Sequence, residues 1–402
     1  RPHHWRCVPA NGGRVMSVLE TVNEPTLADI LTLRPITMDE LKNAQLAPRT
    51  IVSGFLYADV RTRIAAGGVG KTTLSLYEAA RLALGKTVWG KTPEHPVRTC
   101  IITREDRRGI LVARLREVMK AQQFTEQEKR MVLERVQIID LSSESFRLAH
   151  IVGDMVMAHI SNIINLCEAL KEWAPDWVIF DPLVSFGVGE SRVNDAEQGL
   201  IEAFRIIRNE LDCCVEGIHH SGKANARDKT TDQYSGRGGS ALSDGSRMVA
   251  VIQPLDANEW LQQTGTRLEV GESGLIMSLP KLSYCAPLPN LYIRRWGFHF
   301  SLEAANNATP DQIAQHVANR VMDFITAEWL LGRRYTKADI DAQTEKLNLT
   351  RTQIRQAMSE LTVSERVVYH EIKGKSGSHY EPATPADSNG DTHQKVVVLG
   401  VK

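Results

Sequence analysis

The chain lacks any long apolar run: in 402 residues none approaches the ~18 that a membrane-crossing helix needs. It also lacks an excess of charge, with 48 Lys+Arg against 48 Asp+Glu. Bulk electrostatics therefore demand neither nucleic acid nor a membrane surface, and a nucleic-acid role has to come from local patches. Residues 1–14 have no apolar core segment, which excludes a secretory signal. The cysteines, Cys7, Cys100, Cys167, Cys213, Cys214 and Cys285, show no metal-ligand spacing. Cys100, Cys213 and Cys214 lie in apolar, strand-like runs, so free buried thiols in a reducing cytosol are the reading. The chain opens on arginine and Met16 is a candidate start, so residues 1–15 are read as a translated leader or expression remnant.

What is present is a phosphate-binding loop. Residues 65–72, Ala-Ala-Gly-Gly-Val-Gly-Lys-Thr, fit G-x-x-x-x-G-K-[ST] except at its first place, where Ala65 replaces glycine. Backbone N–H groups can converge on a phosphate only where side chains leave room. Ala66, Gly67, Gly68, Val69, Gly70, Lys71, Thr72 and Thr73 form the predicted cradle. Lys71 can reach the terminal phosphates of a nucleoside triphosphate and Thr72 can ligate Mg²⁺. A strand over Val60–Ile64 precedes the loop. A helix from Thr73 to Leu84, closed by Gly85, follows it, the order that such a loop requires. A plain glycine-rich turn is the alternative.

Strand-like and helix-like segments then alternate from 60 to about 255, predicting an α/β domain with a mostly parallel sheet. Residues 16–49 form a helical lead-in with pieces at Thr26–Leu31 and Met38–Asn43. The α/β domain spans 50–303, with strands over Val97–Thr103, Val136–Ile139, Trp177–Phe180 and Cys213–Ile218. Arg247–Ile252, Gly274–Leu279 and Leu291–Trp296 are expected as antiparallel additions at one edge, and polar Lys223–Ser235 as a mobile loop. Residues 304–310 are the linker. Over 311–383 the periodicity predicts a helix at Ile313–Leu331, one capped by Thr336 and running through Leu347, and one capped by Thr350 with Ile354, Ala357, Met358 and Leu361 on one face. A hairpin of Val367–Ile372 and Ser378–Glu381 completes a winged helix-turn-helix pattern. Residues 384–402 are a tail.

Ligands in such sheets lie at the carboxyl edge, so chemistry is sought at the strand ends. Glu105, just past a strand, could polarise an attacking water; an acidic residue at a helix N-terminus is the alternative. Asp181 ends an apolar strand at the metal-side position of phosphate-loop enzymes, although Asp-Pro is also an ordinary strand exit. His219 and His220 end the next strand and could sense a γ-phosphate, or face solvent; neighbouring side chains on a strand diverge, which disfavours joint metal ligation. Arg237 and Arg247 flank a short Gly/Ser-rich helix, and arginine suits spreading transition-state charge, often across a subunit boundary.

Taken in order, 65–72, Arg104-Glu105-Asp106, Asp181-Pro182-Leu183, His219 to Lys223, and Arg237 through Asp244 to Arg247 resemble the RepA-like branch of hexameric RecA-type ATPases, helicases of plasmid and prophage replication modules. The resemblance covers about residues 50–296. It implies a RecA-like fold, ATP and Mg²⁺, and Lys71 and Thr72 on phosphates and metal. Glu105 would be catalytic base, Asp181 would stand at the metal, and His219 would be γ-phosphate sensor. An arginine finger would serve the neighbouring subunit, Arg247 matching best and Arg237 the alternative. Lys281-Leu282-Ser283-Tyr284 is similar to a lysine-bearing strand of the group. Ala65 is a departure of a kind this branch tolerates; the winged helix is one many simple members lack. The expected partners are further copies, as a hexamer, and DNA: a single strand through the ring and duplex at Arg351, Arg355, Lys373 and Lys375. No membrane partner is expected. An ATP-gated initiator, loader or regulatory protein that does not unwind DNA is the competing class, and a protein-docking role for the winged helix a third.

Overall fold

The computed structural model describes residues 34–188, 193–306, 310–347, 349–370 and 378–383. The expected leader, the Thr26–Leu31 helix and the tail lie outside them. Two compact units divide between Leu46 and Ala47. In the first, Thr37 caps the helix Met38–Asn43 in a capping box with Glu40, and none of the helix is buried.

The second unit carries the sheet. Its strands are β1 (Thr50–Val52), β2 (Leu56–Tyr57), β3 (Val60–Ala65), β4 (Thr99–Thr103) and β5 (Val136–Asp140). Next come β6 (Ala149–Val152), β7 (Met155–Ala158), β8 (Trp177–Asp181), β9 (Cys214–His220) and β10 (Met248–Leu255). The last are β11 (Glu272–Leu282), β12 (Leu291–Trp296), β13 (His299–Glu303), β14 (Val367–His370) and β15 (His379–Pro382). Nine strands form one sheet in the order β13-β12-β11-β10-β3-β9-β8-β4-β5. From β10 to β5 all neighbours are parallel; β11, β12 and β13 add antiparallel steps. The expected α/β class, with a central, mostly parallel sheet, holds.

Every residue of β3, β4 and β8 is buried, as parallel strands covered by helices on both faces require. Helices Lys71–Leu82, Arg108–Ala121, Ile160–Lys171 and Val193–Leu211 connect them. The three cysteines expected in strand-like runs, Cys100, Cys213 and Cys214, are buried free thiols, and so is Cys167. Among the described residues no helix is long and apolar enough to cross a membrane.

Three expectations are corrected. The strand at 248–255 is not an antiparallel addition: Met248 pairs in parallel with Arg61 and Ile252 with Ala65. Its unbroken burial from Met248 to Gln253 is that of an interior strand, whereas β11 alternates beyond it. Lys223–Ser235 is folded rather than a mobile loop. It contains a helix, Lys223–Arg227, and the buried Gln253 amide donates to the Asn225 and Thr230 carbonyls. Finally, the helix expected to run from Thr336 through Leu347 is two, Lys337–Asp341 and Thr344–Leu347.

The C-terminal segment opens on the helix Pro310–Leu330, starting inside the expected linker. Thr350 caps Arg351–Val363 in a capping box with Gln353, and Ile354, Ala357, Met358 and Leu361 are its buried face. These join Val321, Ile340 and Tyr380 in a separate apolar cluster. β14 and β15 pair antiparallel, Val367 opposite Pro382.

Candidate nucleotide site

The site begins with a packing problem solved inside β3. Arg61 and Arg63 point into the core and are fully buried. Arg63 donates to Glu216 on β9 at 2.6 Å, to Glu78 at 2.6 Å and to Ser75 at 3.2 Å. Glu78 and Ser75 belong to the helix Lys71–Leu82. Trp89 and Trp177 donate their indole N–H groups to Glu78 and Glu216, so the carboxylates are paired and hydrogen-bonded, as burial demands. This cluster ties together the strand before the loop, the helix after it and the strand bearing the histidines.

The loop turns between Ala65 and Lys71. Gly68 and Gly70 have φ of 79° and 85°, a region that glycine enters freely. A Cβ on Gly67 or Gly68 would meet nothing within 4 Å, so that side of the cradle is open to a ligand. Lys71 Nζ donates to the Ala66 carbonyl at 3.0 Å and to His220 Nδ1 at 3.3 Å. Burial pulls its pKa down, opposed by the Asp181 and Glu105 carboxylates. Thr72 Oγ1 donates to Asp181 Oδ2 at 2.5 Å. Burial pushes the Asp181 carboxyl up, while the Thr72 hydrogen bond and Lys71 oppose the shift. Mg²⁺ is usually held by one or two carboxylates plus waters and substrate phosphates, and this hydroxyl–carboxylate pair fits that demand.

Glu105 follows β4, its amide donating to the Thr103 hydroxyl at 3.3 Å. Its charge acts on Lys71, Asp181 and His220. No described side chain pairs with it, whereas neighbouring Asp106 is bound to Arg114 at 2.5 Å. Arg104 is spent on the carbonyls of Leu141, Ser185 and Glu144.

The histidines divide. His220, opposite Ala65 in the β3–β9 register, is the one beside Lys71. His219 turns to the other face and bonds through Nε2 to the Arg237 carbonyl at 2.5 Å. Of the two expected histidines it is thus His220, not His219, that bonds Lys71, because successive strand residues face opposite ways. Burial pulls both imidazole pKa values down.

The arginines divide too. Arg237 donates its amide to the His220 carbonyl at 2.8 Å, at the carboxyl edge. Arg247 donates its amide to the carbonyl of Val60 at 3.0 Å, the first residue of β3. It therefore lies at the opposite edge, about 16 Å from the loop along a six-residue strand. Arg351 and Arg355 are exposed at the start of their helix, and Arg355 pairs with Asp341 at 2.7 Å. Lys373 and Lys375 lie outside the described residues. Sequence reasoning missed Arg295, whose guanidinium donates to the Val69 carbonyl at 3.1 Å; it comes from β12, and nothing local marks it.

The AAA_25 family model, described as an AAA domain, matches residues 27–226, which include the loop, Glu105, Asp181 and both histidines. The match supports a P-loop ATPase. A comparison with curated proteins returns no match. Among solved structures the chain is similar to a KaiC-like protein from the hyperthermophilic archaeon Pyrococcus horikoshii OT3, at 13% identity and a TM-score of 0.40, covering 63% of this chain and 94% of that one. It is also similar to a DnaB-like replicative helicase solved for its interactions with primase, at 13% identity and a TM-score of 0.45, covering 65% of each chain. These likenesses are distant, and the fold stands on the sheet order itself.

Proposed function

We propose that this chain is an ATP-driven DNA motor, a RepA-like ring helicase of a plasmid, prophage or mobile-element replication module that acts on single-stranded DNA. One observation carries the reading: Lys71, Thr72, Glu105, Asp181 and His220 converge at one sheet edge, while Arg247 stands at the other. Lys71 and the loop amides hold the β- and γ-phosphates. Thr72 and Asp181 hold Mg²⁺, which when bound neutralises charge on the phosphate oxygens. Glu105 takes the proton of the attacking water, and His220 reads the γ-phosphate through its hydrogen bond to Lys71. An arginine about 16 Å from its own loop can stabilise transition-state charge only at another copy's site, and this supports a ring closed head to tail.

The reading is tested by hydrolysis rate per subunit. It rises with protein concentration and with added single-stranded DNA; turnover independent of both overturns the motor. A second reading, an ATP-gated DNA-binding protein that does not unwind, draws on the polar exposed face of Arg351–Val363, where Arg351, Thr352, Arg355 and Gln356 lie together. Site-specific duplex binding without strand displacement selects it.

A further inference from the structure

Arg295 differs in its company from most of the buried and half-buried arginines. Arg63 has Glu78 and Glu216, Arg81 has Asp323, Arg208 has Asp59, and Arg294, its neighbour in sequence, has Glu272 and Glu303. Arg295 has only carbonyls: Nη1 donates to Val69 at 3.1 Å and Nε to Gly297 at 3.0 Å, with the guanidinium over the Phe300 ring at 5.6 Å. Burial pulls its pKa down and no carboxylate opposes the shift. A half-buried cation with no counter-charge costs free energy that its fold does not repay.

Its position says what can repay it. β12 is antiparallel to β11, which is antiparallel to β10, so β12 runs in the sense of β3 and its end reaches the carboxyl edge. There the guanidinium lies on the phosphate loop: a Cβ on Gly70 would sit 2.2 Å from Nη1. Arg295 fills the space that any side chain at 70 would need. Gly70 opens the loop helix, whose N-terminus favours an anion.

We propose that Arg295 is a second cation of the nucleotide site, acting within its own subunit, and that its counter-charge is the phosphate chain of the bound nucleotide. The assignment rests on the nucleotide-site reading above. It gives the antiparallel extension a role in ligand binding that the loop motif does not contain. Charge-assisted hydrogen bonds from arginine to phosphate are strong and often bidentate, and the planar fork is already oriented by Phe300 and Gly297.

The test is equilibrium binding of a fluorescent ADP analogue to the full chain, with inorganic pyrophosphate as competitor. Arg295→Met is expected to weaken both ligands by about 10- to 100-fold, with a melting midpoint in the absence of ligand that does not fall. Arg295→Lys recovers part of the loss and Arg295→Gln does not. Wild-type affinity in Arg295→Gln, which can still donate to Val69, overturns the assignment in favour of a brace on the loop. A loss for the nucleotide without one for pyrophosphate overturns it in favour of a base contact. If the wild-type chain binds nucleotide and Arg295→Met binds equally, Arg295 alone is wrongly assigned. If the wild-type chain binds neither ligand, the site reading itself fails.

Discussion

Thr72 donates its hydroxyl to Asp181 across 2.5 Å, joining the first turn of the loop helix to the end of β8. Asp181 is almost wholly buried and its pKa is raised by that burial. A carboxyl whose folded pKa exceeds its unfolded one holds protons more tightly when folded. Its contribution to stability is therefore lost as pH rises through the folded value. In its charged form Asp181 is a burden that a cation relieves. Asp181→Asn is expected to raise the melting midpoint of the ligand-free protein while lowering hydrolysis by about 100-fold or more. Melting curves with and without Mg²⁺ and ATP check both, and the stabilisation by Mg²⁺ disappears in the variant.

His219 and His220 both have folded pKa values below their ordinary 6.5, through burial first. The unfolded chain binds protons more readily than the folded one between the lowered values and 6.5. Stability is thus complete above 6.5 and lost as pH falls below it. Melting curves from pH 7.5 to 5 are expected to show the loss, and His219→Gln reduces it.

The two histidines separate by assay. His220→Ala is expected to lower kcat by about 10²-fold or more, the range for a positioned catalytic group, because it leaves Lys71 without its ring partner. His219→Ala leaves nucleotide affinity intact and loosens the Arg237 segment instead, read as faster proteolysis between 221 and 240. Equal effects of the two on kcat count against the division.

Glu105→Gln retains nucleotide binding and stops turnover; surviving turnover places the base elsewhere. Mixing Arg247→Ala with Lys71→Ala subunits restores part of the activity, since some interfaces regain both groups. Absence of rescue at any ratio removes Arg247 from the reaction.

Arg63→Ala leaves Glu78 buried without its cation and Glu216 with only the longer Arg61 contact at 3.4 Å, and an uncompensated buried charge costs about 3–5 kcal/mol. Denaturant unfolding followed through Trp89 and Trp177, which touch those carboxylates, measures it directly.

The loop and its helix were legible because glycine spacing and apolar periodicity act over a few residues. Thr350 and its buried face at Ile354, Ala357, Met358 and Leu361 were legible for the same reason. The direction of β10 was not. The crossover before it holds only the short helices Lys223–Arg227 and Ala241–Gly245, so nothing announced a return to the amino edge. The polarity of Lys223–Ser235 suggested motion; its polar groups instead answer Gln253, a buried residue far along the chain. His219 and His220 were both visible, but which faces Lys71 depends on the β3–β9 register. Arg295 is three strands from β3 across the sheet, and contacts of that kind leave no mark on local pattern.

The ion cluster around Arg63 also limits how this domain can be recombined. Its members come from β3, the loop helix and β9, separated by up to 153 positions in the chain. A chimera that imports the phosphate loop with its flanking strand, but keeps the host's β9, inherits an arginine without its glutamate. Such a graft fails through a desolvated charge even where every loop residue is retained. The portable unit is therefore not the eight-residue loop but the three elements that neutralise one another beneath it.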